Sequence, residues 1–159
     1  MAIVFPNNTI REVGVGKIAY PNNVVQIVDV PFTSTLSVNN WATQNEIATA
    51  TITPTSSTSK ILVYVNIHFR GDITQGTWSL GYIWVRNNTR NVELMRSGWN
   101  GTWRHTISNW SKHYLDSPVS TSPQVYSLRC GNYPTGTHTF NTGNAHDGIS
   151  HIRLMELSY

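Results

Sequence analysis

Ile61, Val63, Val65, Ile67 and Phe69 occupy every second position of the stretch 60–70. A two-residue period built from β-branched and aromatic side chains predicts a half-buried β-strand. Its other face carries Leu62, Tyr64, Asn66 and His68, a mixed set that suits solvent or a neighbouring subunit. Ahead of it, Pro54, Thr55, Ser56, Ser57, Thr58 and Ser59 form a run of residues that bend the chain and bond their own backbone. That run predicts a turn joining strand 60–70 to a strand over 46–53. A second alternation puts Trp78, Leu80, Tyr82 and Trp84 on one face of a strand over 78–86, and Asn87-Asn88 predicts a tight hairpin turn into a strand over 89–96.

Elsewhere the pattern is shorter. Strands are expected over 24–32, with Pro31 marking an edge or a bulge, and over 124–130, 137–141 and 149–157. Weaker ones are expected over 103–110 and 112–115, after a glycine-containing loop over 97–102. No stretch has a helical period. Many short strands separated by turn residues point to an all-β fold, an antiparallel β-sandwich of jelly-roll type. Residues 1–22, with Gly14, Gly16 and Pro21, read as a short N-terminal arm, and residues 23–159 as a single β-sandwich domain.

Composition narrows the classes. Only 12% of the 159 residues are charged, and polarity comes from 19 Thr, 16 Asn and 15 Ser. With 39% hydrophobic residues the chain has enough apolar side chains for one packed domain rather than a disordered one. The formal net charge of +3 comes from basic residues no two of which are adjacent, whereas nucleic-acid binders concentrate such charge; no nucleic-acid partner is expected. No apolar run reaches the ~18 residues of a membrane span, and the start of the chain lacks a basic leader with an apolar stretch. The expectation is a chain made in a cytoplasm, without membrane insertion. Cys130, the single cysteine, reads as a small buried apolar residue.

Candidate chemistry is sparse. Eight carboxylates are spread along the chain without a paired acidic motif, and Asp72, Asp116 and Asp147 stand beside turn residues, where backbone bonding accounts for them. His138, His146 and His151 lie near the C-terminus beside Asp147, but their spacing fits no familiar metal pattern. Gly14-Val15-Gly16-Lys17 lacks the spacing and the helix of a phosphate loop. Catalytic residues, metal and cofactor are all expected to be absent.

Three segments carry a resemblance. Residues 52–63, Tyr114-Leu115-Asp116-Ser117-Pro118 with Tyr126 following, and residues 150–157 resemble, in the same order, segments of tailed-bacteriophage virion proteins, especially from phages of cyanobacteria and marine bacteria. They bracket most of the chain. The resemblance implies a β-sandwich module, usually a homotrimer, displayed on a virion as a capsid decoration (cement) protein or a tail-fibre tip, with no catalysis and no cofactor. A long fibre would carry an extended N-terminal stalk, so the resemblance favours a small protein that docks on a capsid, with the major capsid protein or another virion protein as partner.

Two groups of residues are candidates for contact. Ile3, Val4 and Phe5 offer an apolar tip for attachment to a capsid. Trp99, Trp103, Arg104, His105, Trp110 and Tyr114 combine aromatic rings with polar groups, a set that stacks on sugar faces or anchors a protein contact. The competing reading is that these aromatics fill the core or seal a subunit interface. The alternative function, a tail-fibre tip recognising host cell-surface polysaccharide, would use this second group.

Overall fold

The computed structural model describes residues 2–5, 9–12, 23–32, 36–38, 45–72, 79–101, 105–134, 137–140 and 149–158. All regular structure among them is β-strand. Eight long strands build the body: β3 (Val24–Phe32), β5 (Asn45–Ile52), β6 (Lys60–Asp72), β7 (Ser79–Asn87), β8 (Val92–Gly101), β9 (His105–Asp116), β10 (Gln124–Pro134) and β12 (Ser150–Leu157). Short strands β4 (Leu36–Val38) and β11 (Thr137–Phe140) pair with each other, and β11 also pairs with the end of β6.

Pairing is antiparallel throughout, and the pairs are nested. β3 pairs with β12, β5 with β10, β6 with β9 and β7 with β8. The first four long strands therefore meet the last four in reverse order, as in one long hairpin whose closed end is the turn at residues 88–91. Rolled up, that ribbon gives one sheet ordered β3-β12-β6-β9 and another ordered β5-β10-β7-β8. This winding is a jelly roll, and it establishes the fold class without reference to any other protein.

The expected alternation decides which side chains go inside. Ile61, Val63, Val65 and Ile67 of β6 and Ile152 and Leu154 of β12 are fully buried, facing Ile52, Ala50, Tyr126, Leu128, Cys130 and Val85 of the second sheet. Leu62, Tyr64, Asn66 and His68 are half-buried on the outer face. Cys130 lies in the core, and burial pushes its thiol pKa far up, which leaves it inert.

Three expectations are corrected. The Asn87-Asn88 turn is a four-residue turn over 88–91, with Asn91 in the left-handed region at φ 54°; asparagine tolerates that conformation. The glycine-containing segment 97–102 is not a loop up to its end, because β8 runs through Gly98 to Gly101, held by pairing with β7. The two weak strands over 103–110 and 112–115 are a single strand, β9, from His105 to Asp116. As an edge strand β9 exposes Ser111 to Leu115 on both faces, so no alternation marks it. Residues of the expected arm form a small sheet of their own, β1 (Ala2–Phe5) against β2 (Thr9–Glu12), with Phe5 opposite Thr9 and Ala2 opposite Glu12.

Candidate functional site

One end of the jelly roll gathers the turn 53–59, the turn 88–91, the loop 117–123 and the edge where β3 begins and β12 ends. Two buried carboxylates brace it. Glu156, at the inward position that follows Ile152 and Leu154, is wholly shielded from solvent. It accepts hydrogen bonds from the Thr55 backbone N–H at 2.7 Å, the Thr55 hydroxyl at 2.7 Å and Gln26 Nε2 at 2.6 Å. Gln26 also donates to the Thr53 carbonyl at 2.7 Å, so the turn is clamped from both sides. Burial alone would push the Glu156 carboxyl up. The bonds from Ser59, Gln26 and Thr55 together outweigh it and hold the group below the usual glutamate value.

Asp116 is the second brace. It accepts from the Tyr126 hydroxyl at 2.7 Å and from Asn87 Nδ2 at 3.3 Å, and Arg90 from the 88–91 turn grips both its oxygens. Asn87 also donates to Gln124 Oε1 at 3.1 Å. Burial, with the Asp116 hydrogen bond and charge behind it, drives the Tyr126 hydroxyl pKa far above the ordinary tyrosine value. This corrects the turn-residue account of Asp116: it closes β9 and bonds side chains of β7 and β10, not its own backbone.

The register therefore brings together two carboxylates that are forty residues apart in the chain, a pairing no sequence spacing suggested. Both face the interior, where each is occupied by hydrogen-bond donors. A general acid needs a raised carboxyl pKa and access to substrate; Glu156 has a lowered one and no exposure. The pair is structural. The signal that would have found Glu156 is its parity with Ile152 and Leu154; for Asp116 no such signal exists, because its partners come from β7, β10 and the 88–91 turn.

The expected contact residues fall elsewhere. Ile3, Val4 and Phe5 lie in β1, opposite Arg11, Ile10 and Thr9. Trp99 lies in β8 opposite Gly81, and His105 in β9 opposite Asp72, both toward the end remote from the braces. Trp103 and Arg104 lie outside the described residues. Trp110 packs partly buried against the core, whereas Tyr114, on the same strand, is exposed. Of the C-terminal histidines, His138 sits in β11, His146 lies outside the described residues, and His151 Nδ1 stands 3.3 Å from Asp29. Among the described residues no cluster of three His, Cys, Asp or Glu could hold a metal ion.

No family model matches the chain, and no curated protein sequence matches it. Solved structures do. A structure of infectious bursal disease virus, Gx strain, aligns over 94% of this chain and 47% of its own at 9% identity, with a TM-score of 0.48. A mutant VP2 protein of the same virus, in derived particles, aligns over 94% of this chain and 40% of its own at 12% identity and a TM-score of 0.48. A crystal structure of the viral particle covers 96% of this chain and 41% of its own at 10% identity, with a TM-score of 0.49. This chain spans less than half the length of each. The likeness adds nothing to the architecture, which the strand order establishes.

Proposed function

We propose that the protein is a non-enzymatic structural component of a virus particle, a trimeric decoration (cement) protein of a tailed-phage capsid. The observation that carries this reading is the role of the three segments that resemble phage virion proteins. They supply the 53–59 turn with its Glu156 clamp and the Asp116–Tyr126 bond, so they are the braces of one end of the jelly roll. Such braces suit a rigid module, and both buried carboxylates are committed to them.

The mechanism in this reading is mechanical. Ile3, Val4 and Phe5 are the proposed attachment residues, docking the β1–β2 hairpin on the major capsid protein or another virion protein. A two-stranded hairpin alone is marginally stable in water, so it gains by being covered. In a trimer the second and third attachments become intramolecular, which multiplies weak contacts. No cofactor takes part. The alternative, a tail-fibre tip that binds a host surface glycan through Trp99, Trp103, Arg104, His105, Trp110 and Tyr114, draws support from the exposed Tyr114 ring.

Labelled-antibody electron microscopy of intact virions tests the reading. Label over the capsid shell supports it, and label confined to tail tips overturns it in favour of the alternative.

A further inference from the structure

The two outer faces of the jelly roll differ in kind. On the β5-β10-β7-β8 sheet the outer face carries the ion pairs Arg129 with Glu46 and Arg96 with Glu93, and Arg96 also covers the Trp84 ring beside it. On the β3-β12-β6-β9 sheet the register lines up Ile27, Met155, Leu62 and Leu115 as one apolar row across all four strands. Ile27 is 57% exposed and Leu115 39%, so the row reaches solvent at both edges. The next row holds Asp29, Arg153, Tyr64 and His113. Arg153 donates to Asp29 at 2.9 Å, and His151 also faces Asp29, while His113 at the far edge is exposed.

We propose that this face packs on the same face of a second copy of the chain, about a two-fold axis that runs parallel to the strands between β12 and β6. That operation lays β3 of one copy over β9 of the other and β12 over β6. The apolar row then meets the partner's apolar row, Ile27 over the partner's Leu115 and Met155 over the partner's Leu62. In the next row Asp29 meets the partner's His113, and Arg153 meets the ring of the partner's Tyr64. A two-fold axis across the strands would set Asp29 on the partner's Asp29 if it ran through that row, and if it ran through the apolar row it would set Arg153 over the partner's Leu157 and leave Asp29 without a charged partner. Charge therefore selects the first geometry, which is an isologous contact.

The size fits as well. Four strands about 4.8 Å apart, over the nine residues of β3 at about 3.3 Å each, give a face of about 550 Å². Two such faces bury about 1,100 Å², above the roughly 1,000 Å² that a specific interface needs. Sheets stacked this way keep their strands within about 30° of each other, so rows near the centre stay in register. The contact goes beyond the decoration-protein reading and does not depend on it. Between trimers it would join copies in pairs, giving a hexamer; without trimers it gives a dimer.

Sedimentation velocity of the full chain across the micromolar range tests this. The wild type is expected in even-numbered assemblies, and Ile27→Glu and Leu62→Glu should each weaken association about tenfold or more. His113→Glu, which sets a carboxylate against the partner's Asp29, should weaken it too, and the double variant Asp29→Lys/His113→Glu should restore it. Thr51→Glu, on the outer face of the other sheet, should change nothing. Melting temperatures identify the variants that remain folded, and the exposed positions Ile27 and His113 keep the test open if Leu62→Glu does not fold. A wild type that stays strictly monomeric or trimeric overturns the proposal. So does wild-type association in folded Ile27→Glu and His113→Glu, or a folded double variant that fails to recover.

Discussion

Glu156 and Asp116 lie on one rung of the β3-β12-β6-β9 sheet, on either side of Ile61, which pairs with both. All three side chains point into the sandwich, so a fully buried isoleucine is flanked by two buried carboxylates at the same level. Charges are left inside a protein only when hydrogen bonds replace their water. Strand residues Gln26, Asn87 and Tyr126 supply part of the replacement, and turns supply the rest: Thr55 and Ser59 on one side, Arg90 on the other. The rung ties the loops of this end to the sheet.

Removing the Glu156 carboxylate should be costly, because the Thr55 N–H and Gln26 lose a charged acceptor at a fully buried position. Glu156→Ala is expected to lower stability by about 3 kcal/mol, with Glu156→Gln losing less. Urea denaturation of the variants measures this. Hydrogen exchange should show opening concentrated in the 53–59 turn rather than spread over the sheets.

Acid should release the same brace. Glu156 has a folded pKa below its unfolded one, so its contribution is complete above the ordinary glutamate value near 4.5 and is lost as pH falls through the lowered folded value. Asp29, held below its ordinary value chiefly by its hydrogen bond from Arg153, has the same sign. Stability should therefore fall as the pH drops below about 4.5. In an Asp29→Asn background the remaining slope should be largely removed by Glu156→Gln. A slope unchanged by that substitution would show that Glu156 is not a titrating brace.

On the other side of the rung, Tyr126→Phe deletes one hydrogen bond to Asp116 while leaving the ring in the core. A bond to a charged group predicts a loss of about 1.5–3 kcal/mol. Because the folded hydroxyl pKa is raised far above its ordinary value near 10, the wild type should also lose stability as pH climbs past about 10. Thermal melts at neutral and alkaline pH should show that Tyr126→Phe starts lower and has the shallower alkaline decline.

Much of the fold was legible because burial enforces alternation. The strand 60–70, the turn after Ile52 and the closing strand stand where the period placed them, since each has one face in the core. Edges were less legible: β9 needs no alternation, and β8 carries two glycines that pairing with β7 tolerates. The rung itself was hidden. Asp116 reads as a turn residue in sequence, and only the β6–β9 register brings it level with Glu156. Strand order was equally hidden, because nested pairing depends on contacts between the two halves of the chain.

The aromatic group divides at Trp110. Its ring packs against the core, so Trp110→Ala is expected to cost about 3 kcal/mol. Tyr114 is 40% exposed on the same strand, and Tyr114→Ala should cost about 1 kcal/mol or less. Measured together with adsorption to host cells, the two variants separate packing from recognition. Lost adsorption in a fully stable Tyr114→Ala protein would favour the tail-fibre reading, and intact adsorption would count against it.

Val119 supplies the last prediction. It lies in the 117–123 loop with φ at 51°, a left-handed conformation that a β-branched side chain resists, and it is 75% exposed. Neighbouring Pro118 is buried and Arg90 reaches the Ser117 carbonyl at 3.4 Å, so the loop is fixed on the side that enters Val119. The strain is imposed by the brace, and the side chain contributes little burial in return. Replacing it with glycine should relieve the clash at a small entropic cost, and asparagine should do so without that cost. Val119→Asn is therefore expected to raise stability by about 1 kcal/mol, read as a higher melting temperature. A lower melting temperature for both variants would mean that the valine side chain makes a stabilising contact in the assembled protein.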